Sequence, residues 1–193
     1  MSFLGLPEPN AEAKEVFDDD LAELGFVMNA SRLWAYQPSW QRRIFELLGT
    51  LVREHDLTYR QRGILVAACA SAFGDSYCSL AWGSKLAAAT SEETAAAVLR
   101  GADDGLTPAE QAMAVWARKV ARDPNGTSGS DVSALREAGW TDEQIFAITV
   151  FVALRVAFST VNDALGARPD AAYRSLAPAA VLEAVTFGRP IED

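Results

Sequence analysis

Apolar residues recur at helical spacing along almost the whole chain, and no segment sustains the period-two alternation of a half-buried strand, so the sequence predicts an all-α fold. A first helix is expected over Ala11 to Leu24, closed by Gly25, and the turn from Gly25 to Asn29 leads into a second segment from Ser31. Pro38 restarts a helix at about Ser39. It runs to about Glu54 on a stripe of Ile44, Leu47, Leu48 and Leu51, with Arg42, Arg43 and Glu46 on the opposite face. From Thr58 to Phe73 the residues are apolar on every side around Ile64 to Ala70, the pattern of a helix surrounded by protein rather than water. Gly74 ends it, and Asp75 or Ser76 is placed to cap the next helix, which continues to about Ala89. A short helix follows from Glu92 to Arg100. The run Thr107-Pro108-Ala109-Glu110 then supplies a cap, a first-turn proline and a third-position glutamate for a helix ending near Arg122. Residues 123–129 read as a polar loop, the strongest interior candidate for mobility. Beyond it come a short helix from Asp131 to Ala138, a turn at Gly139-Trp140, and a long helix capped by Thr141 that reaches about Leu165.

Composition narrows the class. A chain of 193 residues with 50% hydrophobic content is the size of one domain, expected here over 1–193. Its 17 Lys plus Arg against 26 Asp plus Glu leave a charge of −9, which repels a nucleic-acid backbone. Read by eye, no apolar run reaches the roughly 20 residues of a membrane span, and Met1 to Asn10 lack the basic-then-apolar layout of a leader, so no membrane partner and a cytoplasmic location are expected. Two cysteines, Cys69 and Cys78, fit neither a disulfide scaffold nor a zinc site, and a lone His55 leaves little imidazole chemistry. No metal and no cofactor are expected.

The informative segment is Gly74-Asp75-Ser76-Tyr77-Cys78-Ser79-Leu80-Ala81-Trp82, which sets a thiol in the first turn of a helix, where free N–H groups and the helix dipole favour thiolate. The alternative is a buried cysteine acting as a small hydrophobe. Asp75 reads as a helix cap, as an acid–base group beside a pocket, or as both. Its charge opposes thiolate formation at Cys78. Trp82, one turn past Cys78, packs in the core or lines the pocket. Arg155 lies inside an apolar helix, where it requires a carboxylate, a bound anion or a route to water. A structural ion pair and an anchor for an anionic substrate are both open for it, and the same holds for Arg62. His55 reads as a solvated helix-end residue.

Several stretches, in order, resemble the alkylhydroperoxidase D and carboxymuconolactone decarboxylase family. They are Leu57 to Arg62, the apolar helix, the Gly-x-x-Tyr-Cys opening at Gly74 to Cys78, Leu106 to Glu110, Asp131 to Gly139, Thr141 to Ile145 and Asn162 to Gly166. Gly25 to Asn29 with Pro38 is similar to the longer, peroxidase-related branch. The resemblance implies an all-helical fold assembling as trimers or hexamers, and a Cys-x-x-Cys-x-x-x-His motif preceded by a helical glutamate. In active members the second cysteine attacks a hydroperoxide, the first resolves the sulfenic acid, and Glu and His relay protons. Cys78 matches the second cysteine and Tyr77 the aromatic residue before it. The first cysteine falls on Asp75, the histidine on Trp82 and the glutamate on Gly63.

Three functions follow. The first is a thiol oxidoreductase acting on peroxide-type substrates through Cys78, with Tyr77, Trp82, Arg62 and Arg155 around a small-molecule substrate. Cys69 is then the sole internal candidate to resolve a sulfenic acid, and an external thiol reductant is the other route. The second is a cofactor-free lyase or decarboxylase-like enzyme using Asp75 for proton transfer. The third is a non-catalytic binding or scaffold protein that keeps the helical frame.

Overall fold

The computed structural model describes residues 2–193; Met1, part of the stretch read for a leader, lies outside them. The described residues form helices α1 (Ala11–Leu24), α2 (Asn29–Trp34), α3 (Pro38–Glu54), α4 (Tyr59–Phe73), α5 (Ser76–Ala89), α6 (Glu92–Leu99), α7 (Pro108–Arg122), α8 (Gly129–Glu137), α9 (Asp142–Ala164), α10 (Tyr173–Leu176) and α11 (Ala179–Ala184), with no strand among them. Local chemistry sets the ends. Thr58 with Gln61, Thr107 with Glu110 and Thr141 with Gln144 each close a reciprocal capping box, so two first-turn donors are satisfied at each start. Gly25 and Gly74 end α1 and α4 in the left-handed conformation, with φ of 81° and 90°.

At the centre is α4. Every residue from Gly63 to Ala70 is buried, and α5, α7, α9 and α6 pack around it. Two glycines allow the close approaches. A Cβ on Gly63 would lie 3.2 Å from Leu86 Cδ1 of α5, and one on Gly83 would lie 2.8 Å from Leu99 Cδ1 of α6 and 3.0 Å from Val181 Cγ1 of α11. The starts of α4 and α7 are clasped by Arg60, whose Nε and Nη2 grip the two Glu110 oxygens at 2.6 and 3.0 Å.

One expectation needs correction. By length and composition, the 23-residue α9 is apolar enough to cross a membrane. Scattered polar residues such as Thr149, Arg155 and Ser159 hide this from a search for an unbroken apolar run. Its packing against α3, α4 and α7 makes it a core helix of this fold.

Other differences are local. α2 starts at Asn29 rather than Ser31, because the Asn29 amide donates to Asp170 Oδ1. Leu47 is 46% exposed, and Gln41 takes a buried place on α3 instead. Helices α10 and α11 lie beyond the last helix expected from the sequence. The C-terminal tail crosses back over the start of α5: Ser76 Oγ donates to the Arg189 carbonyl at 2.7 Å, and Gly188 runs so close to Gly74 that a Cβ would sit 2.6 Å from its carbonyl oxygen.

Candidate active site

The site forms where the start of α5 meets the middle of α9. Asp75 is the α5 cap, and its Oδ1 accepts the Cys78 N–H at 2.9 Å, which fixes the thiol in the first turn. The other carboxylate oxygen, Oδ2, accepts from Ser159 Oγ at 2.5 Å, and Ser159 Oγ lies 3.8 Å from Cys78 Sγ. The single hydroxyl proton of Ser159 can serve either Asp75 Oδ2 or the Cys78 sulfur; on the shorter contact it goes to Asp75, which leaves Ser159 Oγ able to accept from the thiol. Arg155, one turn before Ser159 on α9, donates from Nη2 to Cys78 Sγ at 3.1 Å. Burial pushes the Cys78 thiol well above its ordinary range and the Asp75 charge adds to this, while the Arg155 guanidinium opposes both. At neutral pH the resting group is therefore the thiol, with a cation in contact to receive the charge when the proton goes.

Arg155 is only 3% exposed, and among the described residues no carboxylate pairs with it. Its partners are the Cys78 sulfur and three rings, with the guanidinium carbon 5.7, 5.9 and 5.3 Å from the centres of Phe45, Trp82 and Phe158. Its Nε is buried with no hydrogen-bond partner. The structural ion-pair reading of Arg155 is thereby replaced by a cation held in an aromatic cage against a thiol.

Cys78 opens on a cavity of about 240 Å³. Tyr77, Trp82, Phe45, Phe158 and Tyr173 supply its aromatic walls, Arg155, Gln41 and Ser31 are its buried polar members, and Asp19, Asp20 and Glu23 of α1 line it together with Lys85. Lys85 Nζ is tied to Glu23 at 2.6 Å. Asp75 and Ser159 do not border this cavity; they lie behind the sulfur. The structure thus brings Cys78, Tyr77, Trp82 and Arg155 to one cavity, with Asp75 reaching it only through Cys78. Tyr77 contributes its ring alone, since its hydroxyl is spent on Asp170 Oδ2. Arg62 is placed elsewhere: it stacks on Trp82 at 5.5 Å and does not border the cavity. Cys69 is also outside it, with Sγ facing the Val152 carbonyl at 4.0 Å, and burial pushes its thiol up to about 12. Both cysteines are free thiols. Neither His55 nor the 123–129 loop reaches the cavity.

No protein-family model and no curated protein matches the sequence. Solved structures do. An alkylhydroperoxidase D core protein, an uncharacterized peroxidase-related protein from Ralstonia eutropha JMP134, superimposes with a TM-score of 0.76 at 26% identity, covering 89% of this chain and 94% of its own. This chain has an alkylhydroperoxidase D-like fold. An uncharacterized peroxidase-related protein from Silicibacter sp. TM1040 gives a TM-score of 0.78 at 21% identity, over 90% and 94% of the two chains. The debrominase Bmp8, as a Cys→Ala variant in complex with 2,3,4-tribromopyrrole, gives 0.73 at 19% identity, over 94% and 97%. At that identity the last two likenesses speak for the fold.

Within this alkylhydroperoxidase D-like frame, the departures from the motif have local physical correlates. A side chain at Gly63 would place its Cβ 3.2 Å from Leu86 Cδ1 and 3.4 Å from Leu86 Cβ, so a glutamate there would require Leu86 of α5 to give way by a few tenths of an ångström. Trp82, which the sequence resemblance sets at the motif's histidine, presents a ring to Arg155, Arg62 and Lys85 and moves no proton. Sequence reasoning missed Ser159, Gln41, Phe45 and Phe158. The only signal for Ser159 was its place one turn after Arg155 on α9; the others are visible as cavity residues only once α3 is docked.

Proposed function

We propose that this alkylhydroperoxidase D-like protein is a thiol oxidoreductase that reduces peroxide-type substrates at Cys78. The observation that carries the reading is the contact between the Cys78 sulfur and Arg155, a buried cation that pairs with no carboxylate among the described residues. In this scheme Cys78 gives its proton through Ser159 Oγ to Asp75, and Arg155 holds the resulting thiolate. The sulfur attacks the terminal oxygen of the hydroperoxide, the O–O bond breaks, Cys78 becomes a sulfenic acid, and the departing alkoxide is stabilised by Arg155 and protonated to the alcohol. One external thiol then condenses with the sulfenic acid, releasing water and forming a mixed disulfide. A second frees Cys78 and leaves as the external disulfide. The placement of Cys69 outside the cavity favours this external route.

The lyase reading asks Asp75 to exchange a proton with substrate, and its position behind Cys78 argues against that. Assembly into trimers or hexamers belongs to the same proposal and is read by light scattering on the purified protein. The decisive test is consumption of an organic hydroperoxide with dithiothreitol as reductant. Cys78→Ser is expected to abolish it and Cys69→Ser to leave it within about twofold. Turnover that survives in Cys78→Ser overturns the reading, and a folded wild-type protein that consumes no peroxide leaves the binding-protein alternative.

A further inference from the structure

The same cavity carries information about what enters it. Two buried polar atoms on its lining residues bond to nothing among the described residues, Arg155 Nε and Gln41 Oε1. They differ in kind. Nε is a permanent cationic donor, whereas the Gln41 amide offers either a donor or an acceptor to a ligand. Nε and Nη2 lie on one edge of a guanidinium, and this chain already shows what that edge takes. Arg60 grips Glu110 through Nε and Nη2, and Arg136 grips Asp142 in the same way at 2.7 and 3.0 Å. At Arg155 that edge holds the Cys78 sulfur on Nη2 and has nothing on Nε.

The walls set the shape. Trp82, Phe45, Phe158, Tyr77 and Tyr173 present ring faces and edges, which favour a flat ring over a saturated one. A volume of about 240 Å³ falls below the usual ligand-pocket range of about 300–1,000 Å³, and so suits a single ring. Asp19, Asp20 and Glu23 on the lining exceed Lys85 in charge, so a second negative group on the ligand is repelled.

Resting on the assignment of Cys78 as the reactive group, we infer that the cavity takes small single-ring aromatic monoanions, with the oxyanion on the Arg155 guanidinium beside the sulfur and a polar ring substituent on the Gln41 amide. The anion's charge offsets the Arg155 cation that favours thiolate, so occupancy slows alkylation of Cys78.

The test is calorimetric titration of the reduced wild-type protein with benzoate, 4-hydroxybenzoate, benzamide, cyclohexanecarboxylate and terephthalate, with iodoacetamide labelling of Cys78 followed in parallel. Benzoate is expected to bind at least tenfold tighter than benzamide and severalfold tighter than cyclohexanecarboxylate and terephthalate. 4-Hydroxybenzoate is expected to bind tighter still, and both aromatic monoanions to protect Cys78. Arg155→Lys should weaken benzoate binding about tenfold and Gln41→Leu should remove the gain of the hydroxyl, each checked for native helix content by circular dichroism. Equal binding of benzamide and benzoate, or no benzoate binding at millimolar concentration, overturns the inference. Titration requires no turnover, so failure here with intact peroxide consumption refutes the ligand class alone, while binding with no consumption refutes the redox reading alone.

Discussion

At the scale of single residues, the chemistry rests on two opposed charges at one sulfur. Asp75 raises the energy of the thiolate and Arg155 lowers it, and because burial adds to the first, the resting protein holds the proton on sulfur. Removing one charge at a time shows this balance directly. Asp75→Asn keeps an oxygen to accept the Cys78 N–H, so the cap survives, and alkylation of Cys78 near neutral pH is expected to accelerate severalfold. Arg155→Met is expected to slow it by a similar factor. The sign follows from the direction of the shift: a thiol raised well above its usual range gains reactivity steadily as pH rises, with no plateau near neutrality. Iodoacetamide labelling followed by mass spectrometry across pH is the measurement, and a plateau below pH 8 in the wild type contradicts the raised thiol.

At the scale of elements, the helices were legible wherever their ends carry local chemistry. The boxes at Thr58, Thr107 and Thr141 and the glycines at 25 and 74 mark their boundaries within a residue or two, because caps act over one turn. Cys78 and Asp75 were legible for the same reason, since a cap and a first-turn thiol are neighbours in the chain. What was hidden depends on docking between distant segments: Ser159 on α9 meeting Asp75, Phe45 and Gln41 of α3 turned onto the cavity, and the tail laid over α5. That Arg155 meets a sulfur and three rings, and no carboxylate among the described residues, is likewise a property of the packed state; the sequence shows only a cation in an apolar helix. The tail offers a test. Gly188 has a φ of 72° and no room for a side chain against Gly74 and Ser76, so Gly188→Ala is expected to cost about 1–3 kcal/mol in urea unfolding. An unchanged unfolding midpoint argues that the tail does not bear on the start of α5.

At the scale of the whole molecule, the buried carboxylates link folding to pH. Asp163, near the end of α9, has its carboxyl raised from 3.8 to about 7, first by burial and then by the charge of Asp75, with Arg189 opposing. A carboxyl raised on folding binds its proton more tightly in the native state than in the unfolded chain. Its contribution is therefore fully present below 3.8 and is lost as pH climbs through about 7. Asp163→Asn should flatten the fall in melting temperature over that interval, read by thermal denaturation at a series of pH values. A slope equal to that of the wild type removes Asp163 as its source.

Arg155 and Ser159 stand one turn apart on α9, as Asp75 and Cys78 do on α5. Each helix therefore delivers its half of the centre as a fixed unit, and the two halves mesh in one register. A single inserted or deleted residue between the start of α9 and Arg155 would swing cation and hydroxyl together by about 100° around the helix axis. Lineages descended from such an indel would keep the bundle and forfeit both groups at once, so an intermediate retaining either one alone is closed to that route of divergence.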